Sequence, residues 1–265
     1  MKVSALWVYP VKSFRGVRVE RARALPEGFA GDRRWMVVQR KADGTLVFVT
    51  QRTVAGLVRV RASLEQDGIV LRGPSSEALV LPDAPPPARE LVTVWESTLP
   101  AIVWREADEW LARETGLADV HLAKLPPDVT RSVTSSKGRA GDVVSFADAF
   151  PYLITNAASL EDLDARLEAP VTMERFRPNV VVSGARAWEE DGWSTLRVGE
   201  VVFAARKPCG RCVVTTIDPD TGDKGNEPLK TLATFREKEG KVDFGVNFVA
   251  LSEGEVRVGD EVYVS

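Results

Sequence analysis

The sequence predicts a mainly β protein with several helices packed around the strands. Short alternating apolar runs recur from one end of the chain to the other. Turn residues separate them, and few segments carry the i, i+3, i+4 spacing of a helix.

Val3, Ala5, Trp7 and Tyr9 alternate with their neighbours and predict a first strand that ends at Pro10. Val17, Val19 and Ala22 continue in short runs as far as the turn residues Pro26, Glu27 and Gly28. R-W-M-V-V-Q-R, the loop K-A-D-G-T and L-V-F-V-T read as a hairpin, as do L-V-R-V-R-A-S-L, D-G and I-V-L-R-G. These runs predict a barrel or a strongly curled sheet in the first half. Proline-rich residues 82–90 are expected on the surface, before the strand L-V-T-V-W. Glu106, Trp110, Leu111 and Ala112 fall on a helix stopped by Gly116. The proline pair 126–127 and the polar stretch 131–139 mark a boundary loop. Beyond it, Ser159 reads as an N-cap, with Leu160, Leu163 and Leu167 on one helical face. N-V-V-V-S-G, the run 196–204 and V-V-T-T-I read as strands. Pro228 opens a helix carrying Leu229, Leu232 and Phe235, and F-V-A-L and V-R-V-G-D-E-V-Y-V close the chain as strands.

With 265 residues, 44% of them hydrophobic and 28% charged, the chain can bury a core without disulfides or a structural metal. Thirty-five bases against 38 acids give a net charge of −3, which argues against a nucleic-acid partner. The first residues form no signal segment and no apolar run is long enough to span a membrane, so the expected address is the cytoplasm, with no membrane partner.

Only two cysteines occur, Cys209 and Cys212 in C-G-R-C. One reading is half of a zinc site, for which His121 is the one available histidine. A second is a redox dithiol, which wants a helix after the motif where the sequence looks strand-like. A third is a single thiolate ligand to a metal whose other ligands belong to a cofactor, and a fourth is a pair of small buried residues. Arg206, Lys207 and Arg211 crowd this loop and suit an anionic cofactor. Other bases gather at strand ends: Lys12 with Ser13 in Y-P-V-K-S, Arg33 and Arg34 in G-D-R-R-W, and Arg175, Arg177 and Asn179 in R-F-R-P-N. Proline after Arg177 predicts an extended backbone there, and the Asn179 amide suits a heterocycle edge.

The strings Y-P-V-K-S-F-R-G, G-D-R-R-W, R-F-R-P-N and K-P-C-G-R-C-V-V-T-T-I-D-P-D-T-G, followed by P-L-K-T-L, resemble MOSC-domain proteins in order along nearly the whole chain. Within that family the resemblance is to the mitochondrial amidoxime-reducing component and to its bacterial relatives that reduce N-hydroxylated bases. It implies an N-terminal β-barrel-like domain, residues 1–125, packed on a β-barrel-containing MOSC domain, residues 126–265. It also implies a molybdenum cofactor, Mo-molybdopterin, with Cys212 as the thiolate ligand to the metal and Cys209 not ligating. Lys12, Ser13, Arg33, Arg177, Asn179 and Arg211 would hold the phosphate and pterin, and Asn156 and Ser159 fall in a further cofactor-contacting segment. Asp218 and Asp220 would shape the loop past the metal.

The implied activity is two-electron reduction of N-hydroxylated small molecules (amidoximes, hydroxylamines, N-hydroxy bases) to their N–H forms. Relatives with their own electron supply carry an added iron–sulfur domain. Two cysteines leave none for one, so a separate donor protein is expected, whether a reductase, a ferredoxin-like protein or a cytochrome. The rival reading is a cofactor carrier or sulfur-handling protein, since MOSC domains also end cofactor sulfurases. Those bring a pyridoxal-phosphate domain for which 265 residues leave no room.

Overall fold

The computed structural model describes residues 1–65, 68–82 and 88–264. The D-G turn at Asp67 and most of the proline-rich stretch, residues 83–87, lie outside them. The rest is mainly β with three α-helices, Asp108–Thr115, Ala157–Asp164 and Leu229–Arg236, and one closed five-stranded barrel.

The barrel runs Arg89–Val94, Ser97–Trp104, Val120–Lys124, Trp35–Arg40 and Leu46–Phe48. It closes through a parallel pair, Val92 with Leu46 and Thr93 with Val47. One face of every strand feeds a single core, with Met36, Val38, Leu46, Val92, Val94, Leu99, Ala101, Val103 and Ala123 packed on Phe146. The opposite faces of three strands are buried too: Trp35, Val37, Ile102, Trp104, Val120 and Leu122 pack under Trp110 and Leu111 of the first helix. Burial on both faces explains why W-M-V-V is a continuous apolar run instead of an alternating one. Trp35 and Trp104 pack at 4.6 Å between ring centres. Each large side chain so buried is worth about 1.5–3 kcal/mol.

A nine-stranded sheet forms the other main layer. Its order is Val17–Val19, Lys2–Val8, Val180–Ser183, Tyr152–Asn156, Lys241–Ala250, Val201–Gly210, Thr195–Val198 and Val262–Val264, with Glu237–Lys238 paired on the side. The first strand of the chain therefore pairs with a strand about 175 positions later (Leu6 with Val180), in a sheet otherwise built mostly from the second half. Leu6, Tyr152, Ile154, Val180, Phe203 and Phe248 form its buried core.

Several sequence expectations shift locally. L-V-R at 57–59 is a 3₁₀ turn, and the strand starts at Arg61. V-V-T-T at 213–216 is also a 3₁₀ turn, with Cys212 as its N-cap. The Thr215 and Thr216 hydroxyls donate back to the Cys212 and Val213 carbonyls, which draws this β-branched run out of any ladder. The helix placed after Ser159 begins earlier: Asn156 is its N-cap, accepting from the Ala158 amide at 3.1 Å. Gly116 stops the first helix in a left-handed conformation, as its position predicts.

Candidate functional site

A cavity of about 480 Å³ opens where the barrel's strand ends face one end of the nine-stranded sheet. Lys12, Ser13, Arg33, Arg177, Asn179, Arg211 and Cys212 all line it. Residues drawn from separate loops by sequence pattern are thus brought together.

Asn156 and Ser159 are not among the lining residues, which corrects their placement. Both are fully buried and bind Glu190: the Ser159 hydroxyl donates to Glu190 Oε2 at 2.7 Å, and the Asn156 amide donates to it at 3.1 Å. Ser159 also accepts from the Trp188 amide at 2.7 Å. Their polar groups are spent on a helix cap and on a buried carboxylate.

Tyr9 organises the first wall. Its amide donates to Asp32 at 2.8 Å, its carbonyl accepts from the Arg33 amide at 2.6 Å, and its hydroxyl donates to the Pro178 carbonyl at 3.1 Å. The guanidinium carbons of Arg33 and Arg177 each lie 4.3 Å from its ring centre. A Cβ on Gly16 would meet that ring at 2.4 Å, so the glycine of Y-P-V-K-S-F-R-G makes room for the tyrosine. Arg33 donates to Asp32 at 2.5 Å, to Asn179 Oδ1 at 3.1 Å and to the Arg177 carbonyl at 3.3 Å. Asn179 also accepts from the Leu153 amide at 3.2 Å and donates to the Trp7 carbonyl at 3.3 Å. Through these bonds it positions Arg33 and the strand ends.

Arg177 is half-buried and takes a left-handed backbone, φ 56°, against the extended one expected before proline. Proline disfavours the right-handed helical region at the preceding residue, and the 3₁₀ turn Met173–Phe176 ends in the left-handed one instead. The guanidinium donates to the Phe14 carbonyl at 2.7 Å. Burial pushes its pKa down to about 10, and among the described residues no carboxylate pairs with it.

The second wall carries the cysteines. Strand Val201–Gly210 shifts register between Ala205 and Lys207 and again between Pro208 and Gly210, where Lys207, Cys209 and Gly210 face the cavity. Both thiols are free. Arg211 donates to Cys209 Sγ at 2.8 Å, and the base on Cys212 Sγ is Arg52, at 3.4 Å. Arg206 points elsewhere, bound through both nitrogens to Asp142. Past the turn, Asp218 accepts from the Asp220 and Thr221 amides and pairs with Arg175, while Asp220 pairs with Arg15. Neither lines the cavity, and both shape the loop as expected.

Between the walls sits a group that sequence reasoning misses. Asp148 pairs with Lys12 and lies 3.4 Å from Arg52, and Lys12 also donates to the Phe146 carbonyl at 2.9 Å. Desolvation disfavours the Asp148 charge, but Lys12 and then Arg52 outweigh it and hold the carboxyl well below the usual range. Trp95 stands over Arg52 at 4.9 Å. Arg52 follows the strand L-V-F-V-T as Lys12 follows its own strand, so its signal was present in the sequence. Asp148 and Trp95 carry no such signal.

Six bases line the cavity against two acids, in a protein of net charge −3. The Nε of Arg211 is buried without a partner. Four of the seven non-glycine residues with positive φ among those described, Ser13, Arg33, Trp95 and Arg177, line it as well. Strain concentrated at one cavity marks a functional site. No group of three or more His, Cys, Asp or Glu side chains gathers as a metal cage would need, among the described residues. A metal at Cys212 would take most of its ligands from outside the chain.

The family model described as MOSC domain matches residues 141–263, and the MOSC N-terminal beta barrel domain matches residues 1–116. The mitochondrial amidoxime-reducing component 1 of Mus musculus is 34% identical over 99% of this chain and 82% of that protein. The chain belongs to the amidoxime-reducing component family of MOSC-domain proteins. Within this family, component 2 of Bos taurus is 35% identical over 98% of this chain and 82% of its own length. Component 1 of Homo sapiens is 33% identical over 99% and 82%. These family members are named as mitochondrial proteins, which overturns the cytoplasmic address. That expectation rested on the first residues of the chain, and they carry no such information.

Proposed function

We propose that this protein is a molybdenum-cofactor-dependent reductase that converts N-hydroxylated compounds (amidoximes, hydroxylamines, N-hydroxy bases) to their N–H forms, with electrons from a separate donor protein. Membership of a family whose members are named amidoxime-reducing supports the reaction. The observation that carries the cofactor reading is Arg177, a half-buried, desolvated cation on the cavity wall with no carboxylate partner. Such a charge is destabilising until an anion meets it. The donor set fits a phosphate-bearing group: Arg177, Lys207 and Arg211 lack ion pairs among the described residues, and one thiol beside them can ligate a metal.

In this reading Cys212 holds molybdenum, and Lys12, Ser13, Arg33, Arg177 and Arg211 surround the cofactor's phosphate and pterin. The cofactor held there would supply the two-electron, oxygen-accepting chemistry that N–OH reduction needs. Arg52 donates to the Cys212 sulfur and fixes the side of the thiol that faces the cavity. Asp148, held ionised by Lys12 and Arg52, is an anchor for these bases and does not donate a proton at neutral pH. Tyr9 keeps two guanidinium groups side by side despite their repulsion. In sequence we place the boundary of the two parts at 125/126.

The test is molybdenum content and benzamidoxime reduction with an artificial one-electron donor, on protein from a host able to make the cofactor. Cys212→Ala is expected to lose both, whereas Cys209→Ser keeps bound molybdenum. Turnover retained by Cys212→Ala would sink the ligand assignment.

A further inference from the structure

We propose that Trp95 is the specificity-determining wall of the cavity and gives the enzyme a preference for flat aromatic N-hydroxylated compounds, aryl amidoximes and N-hydroxylated heterocyclic bases, over aliphatic ones. This rests on the reductase reading above and adds the shape of its substrate. Trp95 sits at the turn between barrel strands Arg89–Val94 and Ser97–Trp104, with φ 53°. A bulky side chain there is strained, and a turn needs only glycine or asparagine at such a position. The residue is nevertheless 38% exposed, and among the described residues it is the one exposed large apolar group that lines the cavity. An aromatic ring kept in the open at the cost of strain marks a binding surface.

The ring is also fixed before any ligand arrives. Phe48 packs against it at 4.9 Å between centres, the Arg52 guanidinium lies 4.9 Å from its centre, and its Nε1 donates to Asp148 at 3.3 Å. Ordering such a wall on binding would weaken affinity, and here the cost is met in folding. Position gives the rest. The guanidinium of Arg52 spans the Trp95 ring and the Cys212 sulfur, 3.4 Å from one of its nitrogens. A ligand ring held against the exposed part of Trp95 therefore lies within the reach of one arginine side chain from the thiol. The substituents of aryl amidoximes and N-hydroxylated bases project from such a ring towards that side of the cavity. An aliphatic amidoxime has no ring to stack.

The experiment compares kcat/KM for benzamidoxime and acetamidoxime in molybdenum-loaded protein. It also measures binding of benzamidine by titration calorimetry, which needs no turnover. In Trp95→Ala the benzamidoxime-to-acetamidoxime ratio is expected to fall about tenfold, mainly through KM, and benzamidine to bind about tenfold more weakly. Trp95→Phe restores both to within about threefold, because a smaller ring still stacks. Trp95→Leu, with bulk but no ring, replaces the alanine variant if that one does not fold. An unchanged ratio in a folded variant overturns the proposal while leaving the reductase reading intact. Should the wild type reduce neither compound, the reductase reading fails and benzamidine decides the wall: weaker binding by the variant upholds it, and equal or absent binding by the wild type overturns it.

Discussion

Arg177 and its neighbours show how a site is held ready at the level of single residues. Tyr9, Asp32, Arg33 and Asn179 satisfy one another, whereas Arg177 has a carbonyl and a ring but no acid. Its depressed pKa, about 10, means that the unfolded chain holds the proton more tightly than the folded one. The charge therefore costs stability throughout the neutral range, and the cost is relieved only as pH rises through the folded value or as an anion binds. Replacing the charge by an apolar chain of similar length should separate the two roles. Arg177→Met is expected to stabilise the cofactor-free protein by about 1 kcal/mol in urea unfolding and to lower molybdenum bound per chain. A destabilised variant that keeps its molybdenum would refute this account of Arg177.

The same division between folding and function recurs in the strands. Gly245 lies within Lys241–Ala250 at φ 73°, and a Cβ there would come 2.7 Å from Thr155 Cγ2 and 3.0 Å from the Ile154 carbonyl oxygen. Gly245→Ala is expected to destabilise the protein by about 2–3 kcal/mol, read as a lower urea midpoint. Leu153 and Asn247, both on the cavity wall, lie on the two strands forced apart, so molybdenum retention should fall with it. Elements of this kind were legible in the sequence where the breaker is glycine, as at Gly116; Lys2–Val8 was legible as a strand but not in its buried face, because a register shift between Val3 and Ala5 turns Leu6 and Val8 inward where the alternation points to Ala5 and Trp7. They were not legible where side chains override composition. V-V-T-T-I is β-branched throughout, yet two threonine hydroxyls wind it into a turn. The helix after Tyr152–Asn156 reads as capped at Ser159, but the Asn156 side chain accepts the Ala158 amide while the Ser159 hydroxyl turns to Glu190. In the site, the pattern of bases at strand ends finds Lys12, Arg33 and Arg177. Asp148 and Trp95 escape it because their partners come from other loops, which meet only when the barrel has closed.

At the scale of the molecule, the two parts read from the sequence are joined by more than a linker. Lys2–Val8 pairs with Val180–Ser183, and Leu6, Ala24 and Phe29 enter the same core as Tyr152 and Phe203. Residues 126–265 made alone would leave Val180–Ser183 as an open, apolar sheet edge. That fragment is expected to be insoluble or to lack a cooperative unfolding transition, and to be rescued by co-expression with residues 1–125. A soluble fragment that unfolds cooperatively would refute the shared core. The pairing also bears on how the protein is made. On the ribosome, strand Lys2–Val8 emerges early and waits for its partner. At 5–20 residues per second that wait is roughly ten to thirty seconds. Lys12 and Cys212 face one cavity from positions 200 residues apart, and Asn247 of its lining is translated later still. The pocket therefore cannot exist in a growing chain until Asn247 has emerged. Whatever anion it takes can be enclosed only after that point.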